Sequence, residues 1–207
     1  MSFLSLYKAF LLFGTFTTFT LSCSPVNENY ISINLQAKQN WRVNVDYGFL
    51  YPGTKITTYN SGSNTPSFNE IYLLNKSSPG IYEIRPFWDF DLATAVEMPV
   101  GSVSVGDAFK VNTINGKDNQ KFSIECAICD ISTSSTDWIP YHTTCSIKNI
   151  ASGLCMNGVP GTPAFNVTQF DCKSAPAWDI YGYVEFESLS MCWKYFLFDK
   201  VFNDKYP

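Results

Sequence analysis

Cys145-Ser-Ile-Lys-Asn-Ile-Ala-Ser-Gly-Leu-Cys155-Met-Asn-Gly158, with Asn166-Val-Thr-Gln-Phe-Asp-Cys172 and Ala177-Trp-Asp-Ile180 after it, is the stretch on which the fold turns. It opens with alternating apolar residues, the pattern of a strand with one buried face. Two earlier segments open the same way: Tyr30-Ile-Ser-Ile-Asn-Leu35 and Ile81-Tyr-Glu-Ile-Arg85. Each of the three later reaches an apolar anchor just before another strand. The anchors read as Ile71 after Asn69-Glu70, Phe122 after Gln120-Lys121, and Trp178 after Pro176-Ala177, spaced 51 and 56 residues apart (71 to 122, 122 to 178).

Between openings and anchors lie Tyr51-Pro-Gly-Thr54, Pro99-Val-Gly-Ser102 and Gly158-Val-Pro-Gly-Thr-Pro163, which read as hairpin connections. Three repeats of strand and turn at this period predict an all-β chain folded as a β-trefoil, with repeats of about 30–80, 81–125 and 145–184. Such a fold pairs or protects every strand edge. Ile71, Phe122 and Trp178 are expected to be buried together near its threefold axis. Residues from Cys126 to His142, rich in Ser and Thr, read as an insertion between the second and third repeats.

The third repeat resembles one repeat of the ricin-B-type lectins. Ile147–Ile150 takes the place of that family's first strand, Ala151-Ser152-Gly153 its turn, Phe170 its aromatic residue and Trp178 its core tryptophan. The resemblance implies that Cys155 and Cys172 are disulfide-bonded. It also implies a sugar-binding protein rather than an enzyme, and domains of this kind serve as cell-binding parts of toxins. A sugar site needs an aromatic platform for the C–H face and a carboxylate or amide for the hydroxyls. In the first repeat the corresponding residues are Asn44, Tyr59 and Asn69, with Asp46 two places along the same strand and so on the same face. Phe68 stands where the family asparagine would be. In the third repeat Asn157 and Phe170 correspond, while Ala175-Pro176 replaces the family's Asn-Gln pair. The second repeat keeps Asn119-Gln120 but places Ala95 at the polar position and Val111 at the aromatic one, and so reads as structural only.

At 207 residues, 45% apolar and 15% charged, the chain can bury one core of ordinary size. A net charge of −4, with no basic stripe, argues against nucleic acid as a partner. Residues 1–22 read as a secretory signal: Lys8, an apolar run from Ala9, and a small-residue exit before Cys23. Cys23 either leaves with that leader or is a lipid-bearing first residue. Cys126, Cys129, Cys145, Cys155, Cys172 and Cys192 then form an even, disulfide-forming set whose remaining pairings stay open. Sequons stand at Asn75 and Asn166.

Catalytic and cofactor readings are weak. Cys126-Ala-Ile-Cys129 lacks the helix start that an active thiolate needs, so both cysteines read as structural. The sole histidine, His142, has no nucleophile elbow near it, and no second close cysteine pair completes a zinc set. No cofactor is expected. Glycans on a cell surface are the expected partner, beside which a protein subunit can be placed. A trefoil protease inhibitor, or a trefoil scaffold with decayed sugar sites, is the alternative. Residues 185–207 exceed what three repeats need. Their aromatic run around Trp193 to Phe198 reads as packed back through Cys192, or else as a docking patch.

Overall fold

The computed structural model describes residues 22–25, 30–89, 91, 93–129, 131, 138–161 and 164–183. Residues 1–21 of the expected leader, the aromatic run after residue 185 and Cys192 lie outside them. The first repeat contributes β1 (Ile31–Leu35), β2 (Lys38–Val45), β3 (Ile56–Asn60) and β4 (Tyr72–Ser78). β5 (Ile81–Pro86), β6 (Thr94–Glu97), β7 (Lys110–Thr113) and β8 (Phe122–Ile128) form the second. The third has β9 (Trp138–Asn149), β10 (Cys155–Asn157), β11 (Phe165–Asn166), β12 (Thr168–Phe170) and β13 (Trp178–Tyr183). The segment read as an insertion therefore begins and ends in barrel strands.

Strands β1, β4, β5, β8, β9 and β13 pair in a closed antiparallel ring, the last returning to the first through Leu35↔Trp178 and its neighbours. Closure removes the open edges on which sheets aggregate. The pairs β2–β3, β6–β7 and β10–β12 are the three hairpins of a cap. A triangle of backbone hydrogen bonds ties them together. Ile56 N donates to Phe109 O (3.1 Å), Phe109 N to Val167 O (2.9 Å), and Val167 N back to Ile56 O (2.8 Å). Each bond joins the same position of successive repeats, so the triangle lies on the pseudo-threefold axis and fixes which residues of the repeats correspond. The fold is a β-trefoil.

Alternation explains the core. Along β8 the residues Phe122, Ile124 and Cys126 are buried while those between them face outward. Phe122 and Trp178 are wholly buried, as expected, and the Trp178 indole N–H donates to Met156 O (3.0 Å). The first anchor is Tyr72 and not Ile71. A 3₁₀ turn, Phe68–Glu70 in the first repeat and Asp118–Gln120 in the second, precedes each strand, and the second residue after it enters the barrel. That residue is Tyr72 or Phe122, both fully buried, and the pleat leaves Ile71 partly exposed. Gly158 is required by close approach, since a Cβ there would lie 2.5 Å from the Trp178 ring.

Three disulfides staple the domain: Cys155–Cys172, Cys126–Cys145 and Cys23–Cys129. The first is the pairing the resemblance implied. The third corrects the reading of Cys23. Its sulfur is bonded to Cys129 and its backbone exchanges two hydrogen bonds with Cys126 (2.9 and 2.7 Å). In the fold Cys23 is a half-cystine, paired with one of the six cysteines grouped without it.

Candidate functional site

The axial triangle makes Thr57, Lys110 and Thr168 equivalent, each following a triangle residue. Their ladder partners are Asn44, Glu97 and Asn157. These three fill the polar position of the three repeats. Two residues on, Tyr59, Asn112 and Phe170 are equivalent as well. The second repeat therefore presents Glu97 and Asn112, not Ala95 and Val111. Ala95 and Val111 are fully buried core residues.

This shift changes the standing of the second repeat. Glu97 Oε1 accepts from Asn112 Nδ2 (2.7 Å). Its Oε2 accepts from Asn119 Nδ2 (3.0 Å), Gln120 Nε2 (3.1 Å) and Asn115 Nδ2 (3.4 Å). Four neutral amides thus hold one carboxylate that is only 4% exposed. Gln120 is itself fixed, donating to Thr113 O (2.8 Å) and accepting from Asn115 N (2.8 Å). Asn119 also donates to Met98 O (2.9 Å), while its Oδ1 lacks a partner among the described residues. Charge-assisted bonds of this kind make a strong, oriented acceptor.

In the first repeat Asn69, not Phe68, is the counterpart of Asn119. It reaches Val45 O (3.4 Å) as Asn119 reaches Met98 O. Asn44 donates to Thr57 Oγ1 (3.1 Å), and its Oδ1 lacks a partner among the described residues. Tyr59, 47% exposed, lies on the same hairpin face. Asp46 is not on that face by strand alternation. β2 ends at Val45 and Asp46 begins a 3₁₀ turn (Asp46–Gly48). Glu70 takes the place of Gln120, fully buried, 3.3 Å from the equally buried Arg42 guanidinium. Burial pushes the Glu70 carboxyl above its ordinary pKa, against the Ser67 N–H and Arg42, which favour the anion. Arg42 also donates to Ser61 Oγ (2.8 Å), Ser63 O (2.8 Å) and Asn64 O (3.0 Å), drawing loop 61–65 over itself.

The third repeat is the barest. Asn157 Nδ2 donates to Thr168 Oγ1 (3.2 Å), and Phe170, partly buried, stands opposite Cys155. Ala175 and Pro176 offer no amide. They line a cavity of about 190 Å³ with Thr144, Cys145, Cys155 and Cys172, which neither Asn157 nor Phe170 reaches.

No family model matches this chain, and no curated protein sequence matches it. Among solved structures it is similar to the designed threefold-symmetric protein ThreeFoil, with TM-score 0.56, 15% identity and coverage of 73% of this chain and 97% of that one. It is similar also to a Polyporus squamosus lectin bound to a human-type influenza-binding epitope, with TM-score 0.53 and 14% identity over 75% of this chain. The chain spans about half (48%) of that lectin's length. A third likeness is to the cytolethal distending toxin from Actinobacillus actinomycetemcomitans, with TM-score 0.51, 16% identity and coverage of 79% of this chain and 96% of that one. At such identities these likenesses establish the fold.

Proposed function

We propose that this chain is an exported, non-catalytic carbohydrate-binding protein of the ricin-B type, serving as the cell-binding subunit of a toxin or virulence factor. The observation that carries this reading is the Glu97 carboxylate held by Asn112, Asn115, Asn119 and Gln120. A pyranose presents neighbouring hydroxyls, and an oriented carboxylate accepts from two of them at once. Amides beside it donate to the same oxygens, and Gln120, buried beneath, keeps the carboxylate aimed. The Ala151-Ser152-Gly153-x-Cys155 opening, the Cys155–Cys172 bond and buried Trp178 support the family. Three disulfides suit an oxidising compartment, in keeping with the leader-like residues 1–22. The lectin and toxin folds to which the chain is similar are in keeping with a glycan-binding, toxin-associated role.

Asn44, Tyr59 and Asn69 form a second, weaker site in this reading. Its carboxylate, Glu70, is taken by Arg42. Asn157 and Phe170 contribute least. The test is a glycan array on the refolded chain. Wild type should bind a defined glycan set, and Glu97→Gln should lose it while melting cooperatively. A wild type that binds no glycan, or a folded Glu97→Gln that binds as wild type does, would sink the proposal.

A further inference from the structure

Three exposed rings stand in file at the tip of the first hairpin. Tyr47, Phe49 and Tyr51 are 81%, 52% and 70% exposed. The rings join end to end: Tyr47 to Phe49 with centroids 6.1 Å apart and planes tilted by 33°, Phe49 to Tyr51 at 5.6 Å and 34°. Exposure alone marks nothing, since Tyr59, Phe68 and Ile128 are exposed elsewhere. Order sets these three apart. The tips of the other two hairpins, residues 98–108 and 158–164, carry no aromatic residue, so the row is no part of the threefold pattern.

The row is held from below. Tyr47 has a left-handed backbone (φ 52°), which bulky residues avoid, beside Gly48 at φ 70°. Trp88, from the second repeat, donates its indole N–H to Gly48 O (3.1 Å). The Phe68 ring lies edge-to-face on Trp88 (5.4 Å) and so close under Gly48 that a Cβ there would stand 2.9 Å from it. Leu50, between Phe49 and Tyr51, packs against the core and leaves its neighbours outside. Thr54 N bonds Tyr51 O (3.0 Å), and Gly53 N bonds Val111 O (2.8 Å), tying the tip to the second hairpin. Strain at an exposed ring, fixed from several sides, points to use of the ring and not to stability.

Charge at the tip balances. Asp46 and Lys55 flank it, joined by Asp46 N to Lys55 O (3.0 Å), and residues 47–54 between them include no Lys, Arg, Asp or Glu. A fitting ligand is therefore neutral, with apolar faces for the rings and hydroxyls for the phenols at either end. An equatorially linked hexopyranose chain is such a ligand. It is a flat ribbon that presents C–H faces one after another, at a spacing of the order of these rings. One sugar needs one platform; a row of three calls for a chain.

We propose that Tyr47, Phe49 and Tyr51 form a platform for an extended, uncharged, equatorially linked oligosaccharide. This site lies on a different hairpin from Glu97 and goes beyond the reading built on that carboxylate. It binds a chain by its faces where Glu97 binds a sugar by its hydroxyls. Because the rings are fixed before binding, little ordering entropy opposes it.

The experiment is titration calorimetry of the refolded chain with cellohexaose and chitohexaose, beside glucose and N-acetylglucosamine. Wild type should bind a hexasaccharide at least tenfold more tightly than the matching monosaccharide. Phe49→Ala should weaken that binding at least tenfold. Tyr47→Gly should weaken it likewise without lowering the melting temperature, since glycine adopts the left-handed backbone freely. Both variants should keep the array binding assigned to Glu97. Wild type that binds neither hexasaccharide, or folded variants that bind one as wild type does, would overturn the proposal. So would self-association that Phe49→Ala abolishes without hexasaccharide binding, which would give the rings to a second copy. Array glycans bound through Glu97 with neither hexasaccharide bound would sink the platform alone. Hexasaccharide binding lost in Phe49→Ala, beside a folded Glu97→Gln with wild-type array binding, would support the platform and sink the Glu97 site alone.

Discussion

Removing the Cys23–Cys129 bond tests both where the folded chain begins and what holds it. The variant is Cys23→Ser with Cys129→Ser, which leaves no unpaired thiol to reshuffle. The bond closes a loop of 106 residues. Loop-closure entropy for that length corresponds to about 5 kcal/mol at 25 °C, against about 3 kcal/mol for the 17-residue span of Cys155–Cys172. Neither remaining bond shortens the long loop, because Cys126–Cys145 lies at its far edge. The backbone pairing of Cys23 with Cys126, and the Tyr82 hydroxyl bonded to Pro25 O, are weakened with it. For a domain of this size about 5 kcal/mol lowers the melting temperature by ~10–20 °C. The assay is chemical and thermal unfolding of this variant beside Cys155→Ser/Cys172→Ser, with non-reducing peptide mapping of the wild type. A 23/129 variant no less stable than the 155/172 variant would refute the reasoning, as would exported wild-type chain that lacks Cys23.

Trp178→Ala should cost about 3–5 kcal/mol and leave the refolded chain without a cooperative transition, read by near-ultraviolet circular dichroism. Glu70 gives a pH test. Its pKa is raised on folding, so between the folded value and the unfolded value near 4.5 the native state binds more protons and stability rises as pH falls. Glu70→Gln should remove that slope, and a wild-type-minus-variant stability that instead rises with pH through this window would contradict the burial argument.

The fold was legible where spacing and alternation both speak. Three strand openings, three hairpin loops and Trp178 are visible without coordinates, because each repeat must bury one pleat face. What failed was counting inside a repeat. Ile71 and Tyr72 are both apolar, so alternation alone does not say which one enters the barrel; the 3₁₀ turn before them does. Asp46 was misplaced because a strand pattern continues on paper past Val45, where the chain turns. Glu97 was missed because the hairpin loops differ in length, and fixed offsets land on Ala95 and Val111. A signal was present nonetheless. Asn119-Gln120 stands in the second repeat, and two adjacent buried amides there call for acceptors on the preceding hairpin, where Glu97 lies. Cys23 was lost to leader logic, since proximity to a cleavage point says nothing about a partner 106 residues away.

The three repeats show how one exchange of groups decides which site can offer an acceptor. In the second repeat the carboxylate is on the hairpin and the amides are on the turn, so Glu97 is oriented by neutral donors. In the first the carboxylate has moved to the turn as Glu70, and a buried anion there requires a cation. Arg42 supplies it and also binds the carbonyls of Ser63 and Asn64, spending both charge and space. The third repeat has neither group.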